Sequence, residues 1–207
     1  MNITVVGGSR GTGALVAAQA AAAGHVVRTV SRTLGAPIPG VEQLTLDATD
    51  ATALQPAVAG ADAVVVTVGA TAKTGETPRT DITRAVITAM KAEGVRRVVA
   101  QSSWGVGDSY GSMPFVMRRV VVPLILKQAL VDHGLQEEAL AASGLDWTVI
   151  RPGGLTDDDS RGAVRLAAGD GSSGSLGRIA RTDVAAMLLA AVDDASTIGH
   201  AFTIVAG

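Results

Sequence analysis

An apolar run, Asn2-Ile3-Thr4-Val5-Val6, leads directly into Gly7-Gly8-Ser9-Arg10-Gly11-Thr12-Gly13 and then into an alanine-rich stretch ending at Ala23. That order constrains the fold more than any other feature of the chain. The β-branched run suits a strand, the spaced glycines allow a sharp turn, and the alanines favour a helix. A strand, a tight glycine turn and a helix open a β-α-β unit, whose strands run parallel and are joined by the crossover helix. The first-turn amides of such a helix have no intrahelical acceptor, and its N-terminal end carries partial positive charge. An anion such as a pyrophosphate is therefore stabilised there. Gly7 would make the turn, Gly11 would let the backbone approach the ligand, and Gly13 would let the helix pack on the strand. Ser9, Arg10 and Thr12 lie in the same cradle.

The remainder repeats this alternation of short apolar runs with alanine-rich segments. Strands are predicted over residues 2–6, 26–30, 43–46, 63–68, 97–100, 147–150 and 202–205. Helices are predicted over 13–23, 51–58, 81–93, a broken stretch 115–142, and 183–192. Thr80 and Thr182 are candidate N-caps, and Pro123 should kink or end the first part of the broken helix. With 47% hydrophobic and 17% charged residues and 25 glycines, the balance suits buried parallel strands. The pattern predicts an α/β fold, a Rossmann-type doubly wound parallel sheet forming a single domain over residues 1–207. Two irregular stretches, 102–114 and 153–177, follow late strands at the end of the sheet where such folds bind ligands. Segments 102–119 and 153–177 are accordingly expected to cover a substrate. The glycine cluster at 169–174 reads as a flexible turn, because no helix start follows it.

Several chemistries are excluded. There is no cysteine, hence no disulfide or thiolate. The three histidines, His25, His133 and His200, are far apart and show no zinc-ligand spacing, so no metal is expected. Asp157-Asp158-Asp159 reads as a solvated loop, because adjacent side chains point apart. A formal net charge of −2 without a basic block argues against nucleic acid. Without a leader pattern or a membrane-length apolar run, a cytoplasmic protein that does not enter membranes is expected.

The second strand speaks to the choice of dinucleotide. NAD enzymes place Asp or Glu about 20 residues past the glycines to hold the ribose hydroxyls. Here the strand runs into Ser31-Arg32, which would bind a 2′-phosphate, with Arg10 adding a second guanidinium. NADP(H) is the expected cofactor, although Arg32 can also be read as a solvated charge at a strand end.

These residues resemble the short-chain dehydrogenase/reductase superfamily, in particular its atypical NAD(P)H-binding branch of NmrA-like and flavin reductase/biliverdin IXβ reductase-like proteins. The resemblance covers nearly the whole chain. It rests on the glycine loop, Arg32, Leu46-Asp47-Ala48, Ala61-Asp62-Ala63-Val64, Val98–Ser103, Arg181-Thr182-Asp183-Val184 and, most specifically, the run from Ser143 to Gly154. The loop spacing, Gly7-x-x-x-Gly11-x-Gly13, is that of the main branch, with Arg10 where the atypical branch carries glycine. The resemblance implies that Asp47 accepts from the adenine amino group beside the Ala48 backbone; a helix N-cap is the other reading of Asp47. It implies that Val68, Gly69 and Ala70 line the ribose and pyrophosphate, and that Ser102, Ser103, Pro152 and Gly153 surround the nicotinamide. Plain turn formation is the alternative for the two serines.

The main branch uses a Tyr-x-x-x-Lys pair for proton transfer. Tyr110 is the only tyrosine, and Pro114 stands four positions later, so that pair is missing. The expected activity is NADPH-dependent hydride transfer to a flavin, quinone or similar conjugated acceptor, which needs mainly alignment and exclusion of water. By the resemblance, Ser103 orients the acceptor or donates its proton, and His133 matches a polar site in the family's later helix or else is a surface residue. Trp104, Tyr110 and Met113 would line an apolar pocket for an aromatic substrate, or else serve core packing or a dimer contact; a monomer or homodimer is expected. The alternatives are a non-catalytic NADP(H) sensor and an epimerase-like or isomerase-like enzyme with a changed proton donor.

Overall fold

The computed structural model describes residues 1–69, 73, 75–160, 164–168 and 177–206. Strand β1 (Asn2–Val6) is followed by α1 (Gly11–Ala22), β2 (Val26–Ser31), β3 (Val41–Thr45), α2 (Ala51–Val58), β4 (Ala63–Val66), α3 (Pro78–Ala92) and β5 (Arg97–Gln101). A 3₁₀ turn (Gly107–Tyr110) and wide π-helical turns (Met117–Leu126) lead into α4 (Lys127–Ala141). Then come β6 (Asp146–Arg151), β7 (Gly154–Thr156), β8 (Val164–Ala168), β9 (Arg178–Ala180), α5 (Arg181–Asp193) and β10 (His200–Ala206). Among the described residues, eight strands form one sheet in the order β3-β2-β1-β4-β5-β6-β10-β8. All neighbours are parallel except β8, which runs antiparallel to β10.

The expected doubly wound architecture is thus present, with boundaries shifted by a few residues. The strand predicted over 43–46 begins at Val41, and the one predicted over 63–68 stops at Val66. The stretch 153–177, read as irregular, contributes β7 and β8, and β7 pairs in parallel with β9 in a separate small sheet. The glycine cluster at 169–174 lies outside the described residues.

Small side chains explain why helices cover both faces so closely. All four residues of β4, Ala63-Val64-Val65-Val66, are fully buried. Val64 and Val66 face a layer built from α2, α3 and α4. Ala63 and Val65 face α1 and α5, which meet through Val16, Ala17, Ala20, Val184, Ala185 and Leu188. Strand alternation sends successive side chains to opposite faces, so one short run supplies both cores.

Polar side chains from distant elements finish the helix ends. Neither Thr80 nor Thr182 is an N-cap: α3 starts after Thr77 and α5 after Ala180, and neither of these forms a side-chain cap. Instead Asp132, on α4 and fully buried, accepts from the Arg79 and Thr80 amides at 3.1 and 3.0 Å, from Thr80 Oγ1 at 2.8 Å and from Arg79 Nη1 at 3.2 Å. Thr80 lies inside the helix, where its hydroxyl serves Asp132 and not its own turn. The buried Arg97 guanidinium does the converse for α5, donating to the Val192 carbonyl at 3.2 Å and to that of Ala191. Pro123 lies within the π-helical turns, and regular α-helix resumes at Lys127.

Burial opposes charge on Asp132, but the bonds from Thr80 and Arg79 outweigh it and hold the carboxyl below its ordinary value. A carboxyl depressed in the folded state stabilises above its unfolded value and loses that contribution as pH falls. Asp132→Ala should lower the unfolding free energy at pH 7 by about 3 kcal/mol, the scale for breaking a buried pair. The wild-type and variant values should converge as the pH drops below about 4, as urea unfolding followed by circular dichroism at both pH values would show.

Candidate dinucleotide site

Strand order reverses between β1 and β4, so the helices that follow them, α1 and α3, cross to opposite faces of the sheet, which leaves the usual binding crevice of open α/β folds above the strand ends. The glycine loop fills the β1 side. Gly7 has φ +93°, and a Cβ there would lie 2.8 Å from the Thr67 carbonyl. The Gly7 amide donates to the Val30 carbonyl at 2.8 Å, and the Thr67 amide to that of Val6 at 2.9 Å. The loop is therefore stitched to both neighbouring strands. A Cβ on Gly13 would lie 2.3 Å from the Gly7 carbonyl and 2.4 Å from Thr67 Oγ1. The start of α1 is thus pressed onto the loop itself. Gly11 has φ +57° and is exposed, and Arg10 supplies no side-chain cap. Helix geometry leaves the first-turn amides without intrahelical acceptors, so α1 presents them, with its positive end, at the mouth of the crevice. Ser9 is half-buried beside it and Thr12 is buried.

Around this cradle the expected residues fall as follows. Arg10 and Arg32 are exposed. Ser31 Oγ accepts from the Ser9 amide at 3.0 Å and donates to the Val30 carbonyl at 2.7 Å. Its hydroxyl is thus engaged in shaping the loop, while Arg32 beside it is exposed. Asp47 is exposed beyond β3, and its Oδ1 accepts from the Thr49 amide at 3.0 Å and hydroxyl at 2.8 Å. Those two bonds, with a smaller contribution from Arg32, hold its carboxyl below the ordinary value. The N-cap of α2 is Asp50, not Asp47. Ala48 is buried, Val68 half-buried and Gly69 exposed; Ala70 lies outside the described residues. Gln101, at the end of β5, keeps a buried Oε1 without a hydrogen-bond partner among the described residues. A stitched glycine cradle, a helix start without a side-chain cap, exposed guanidinium groups and a buried acceptor without a partner among the described residues fit a dinucleotide lying across the crevice.

The other half of the crevice is built by β5, β6 and α4. Ser102 is buried, and its hydroxyl donates to Glu137 Oε1 at 2.6 Å. Ser103 is half-buried and donates to the Trp104 carbonyl at 3.1 Å. Pro152 is buried and Gly153 half-buried, and the Pro152 carbonyl accepts from the Trp104 amide at 2.9 Å. Trp104 Nε1 donates to Ser112 Oγ at 2.9 Å. Met113 is buried under Gly105. Tyr110 is 41% exposed, its hydroxyl 3.4 Å from the Arg118 carbonyl. His133 is not a surface residue: it is buried on α4 with Nδ1 3.1 Å from Gln136 Oε1. Burial, then the nearby Arg79, lowers its pKa to about 4, so the ring is neutral at neutral pH.

Arg151, Glu137, Asp108 and Arg181 were not picked out from sequence as site residues. Arg151, on β6, pairs with Glu137 and with Asp108. Arg181 starts α5 beside Gly11 and pairs with Asp157 at 2.6 Å, and the aspartate run is exposed to solvent as expected. The phrase Ile150-Arg151-Pro152 was the available signal for Arg151, but its partners are 14 and 43 positions away. Among the described residues, no three His, Asp or Glu side chains are grouped to hold a metal, and no helix is long and apolar enough to cross a membrane.

Fold and crevice together define a Rossmann-type dinucleotide-binding domain. The chain belongs to the NAD(P)H-binding family, whose sequence profile matches residues 7–195, and relatives of this group comprise oxidoreductases and epimerases. It is 32% identical over 155 residues to a Bacillus subtilis (strain 168) protein named uncharacterized sugar epimerase YhfK, covering 73% of this chain and 66% of that protein, just under two thirds. It is 25% identical to ChuY, described as an anaerobillin reductase from Escherichia coli O157:H7, with a TM-score of 0.82 over 99% of this chain and 97% of the other. A Veillonella parvula DSM 2008 short-chain dehydrogenase/reductase in complex with NADP shares the fold at 18% identity, with a TM-score of 0.79 over 99% and 94% of the two chains.

Two measurements test this geometry. Gly13→Ala should weaken NADPH binding in calorimetric titrations and destabilise the fold by ~1–3 kcal/mol, as overpacking does; unchanged affinity would mean that α1 can retreat without disturbing the cradle. For His133, a folded pKa below the unfolded value means that stability is complete above about pH 6.5 and declines as pH falls towards 4. His133→Gln should flatten the slope of unfolding free energy between those limits.

Proposed function

We propose that this chain is an NADPH-dependent oxidoreductase that reduces a flavin, quinone or similarly conjugated small molecule. The observation that carries the reading is the position of Tyr110: the only tyrosine sits exposed on a surface turn with its hydroxyl near a backbone carbonyl. No tyrosine is then available to protonate an alkoxide, and an electron-accepting ring that takes its proton from water or a weak donor suits such a site. The bound cofactor would supply the hydride. The protein's part is to hold the pyrophosphate on the α1 amides, pair Arg32 and Arg10 with a 2′-phosphate, and set Asp47 and Ala48 beside the adenine. Val68, Gly69 and Ala70 line the ribose side in this reading; Ser102, Pro152 and Gly153 bound the nicotinamide, and Ser103 orients the acceptor. In this reading Trp104 and Met113, on the turn that follows β5, exclude water from the ring. The description of ChuY as a reductase supports this assignment, and a cytoplasmic monomer or homodimer is in keeping with it.

The name of the B. subtilis relative favours a second reading, an epimerase-like enzyme that returns the hydride and consumes no cofactor. NADPH oxidation measured at 340 nm with a panel of flavins, quinones and linear tetrapyrroles separates the two. Steady consumption supports the reductase; tight NADP⁺ binding without consumption removes it and leaves the epimerase or a sensor. In the same series Arg32→Ala should weaken NADPH binding by ~1.5–3 kcal/mol, the range for a charged hydrogen bond, and NADH binding far less. Equal losses for both cofactors would remove the NADPH preference.

A further inference from the structure

Arg151 is nearly inaccessible at the end of β6, and its guanidinium is shared between two carboxylates of different character. Nε and Nη2 grip Glu137 in a fork at 2.9 and 2.6 Å, with the two side chains only 5% and 13% exposed. Nη1 pairs with Asp108, whose side chain is 58% exposed. The same Glu137 oxygen that accepts from Arg151 Nε also accepts the Ser102 hydroxyl. A Cβ added at Gly107, where φ is +58°, would come within 2.8 Å of Arg151 Nη2, so the turn lies directly on the guanidinium.

That turn is internally knit. Gly105 N donates to Ser109 Oγ at 2.9 Å, Ser109 Oγ donates to the Val106 carbonyl at 2.7 Å, and Trp104 Nε1 donates to Ser112 Oγ, itself bonded to the Ser109 carbonyl at 2.8 Å. Residues 104–113 therefore form one hydrogen-bonded unit. They are fastened to the body through the Trp104 amide, the buried Met113 and the Asp108–Arg151 pair.

We propose that Glu137 and Arg151 are positioning residues for the nicotinamide end of the site, holding the Ser102 hydroxyl in one orientation while Asp108 latches the 104–113 turn over the crevice. The assignment deepens the reductase reading and rests on it for its catalytic consequence. The inner fork is shielded from water and geometrically fixed, whereas the outer pair competes with solvent and contributes little at equilibrium. The latch can release and re-form while Ser102 stays in place, so acceptors can enter and leave without dismantling the site.

Hydrogen exchange on the full-length protein, read by mass spectrometry with and without NADPH, tests this beside menadione reduction. Asp108→Asn should raise exchange of residues 105–113 by ~2- to 5-fold, the scale of an exposed ion pair, leave β1 and β4 unchanged, and raise the KM for menadione with kcat retained. Asp108→Glu should restore the wild-type pattern. Glu137→Gln should raise exchange in both 105–113 and α4 and lower kcat. Wild-type exchange in Asp108→Asn, or a uniform rise across β1 and β4 in Glu137→Gln, would overturn the proposal and leave the pair a stabilising contact only. The exchange pattern is read whether or not menadione turns over, so absent turnover with the predicted pattern would sink the reductase reading alone.

Discussion

The closeness of α1 to the Gly7 loop is the constraint on which the rest of the structure depends. With Gly13 pressed against the Gly7 carbonyl and Thr67, the helix start, β1 and β4 share one small volume. Nothing larger than hydrogen fits on the helix side. From that contact follow the direction of α1 across the sheet, the aim of its free amides into the crevice, and the alignment of its alanine face on α5. Gly8 extends the constraint to β2, because a Cβ there would lie 2.6 Å from the Thr29 side chain.

A second theme is that charged side chains finish other elements' hydrogen bonding. Asp132 serves the amides of α3, Arg97 the carbonyls of α5, and Arg151 joins β6 to α4 and to the turn after β5. Each sits where an unpaired backbone or side-chain group would otherwise be shut away from water, which costs more than the bond itself gains. Inward-facing Asp132, His133, Gln136 and Glu137 give α4 a polar seam against its neighbours. Its role is therefore to position groups as well as to cover the sheet.

The glycine cradle and most of the sheet were legible because they rest on local spacing: a strand, a turn and a helix leave their marks within a dozen residues. The place of Ser31-Arg32 at the close of β2 could be read for the same reason. The capping of α3 could not, since its acceptor lies more than fifty positions away; Thr80 looked like a cap because a threonine before an apolar stretch has the same local signature whether its hydroxyl turns back or reaches across. Ser31 was assigned outward because nothing nearby announces that Ser9 will need an acceptor. Glu137 and Arg151 escaped for the converse reason: each is ordinary in its own element, and only the meeting of β6 with α4 makes them a pair. The strands within 153–177 are short and take their partners from β9 and β10, so periodicity alone could not reveal them.

The position of β10 between β6 and β8 has a consequence for how the chain is made. Strand β8 leaves the ribosome before the strand it pairs with, and β6 exposes its outer edge for the same interval. The sheet closes on that side only when β10 slides between two strands already synthesised, one parallel and one antiparallel to it. Until that insertion, β6 offers unpaired amides and carbonyls to any extended segment nearby, which is the situation in which nascent chains associate edge to edge. The antiparallel β8, once seated, ends that exposure for β10 as well. The β6 edge of this fold is thus a point of vulnerability during synthesis that pairing with β10 removes.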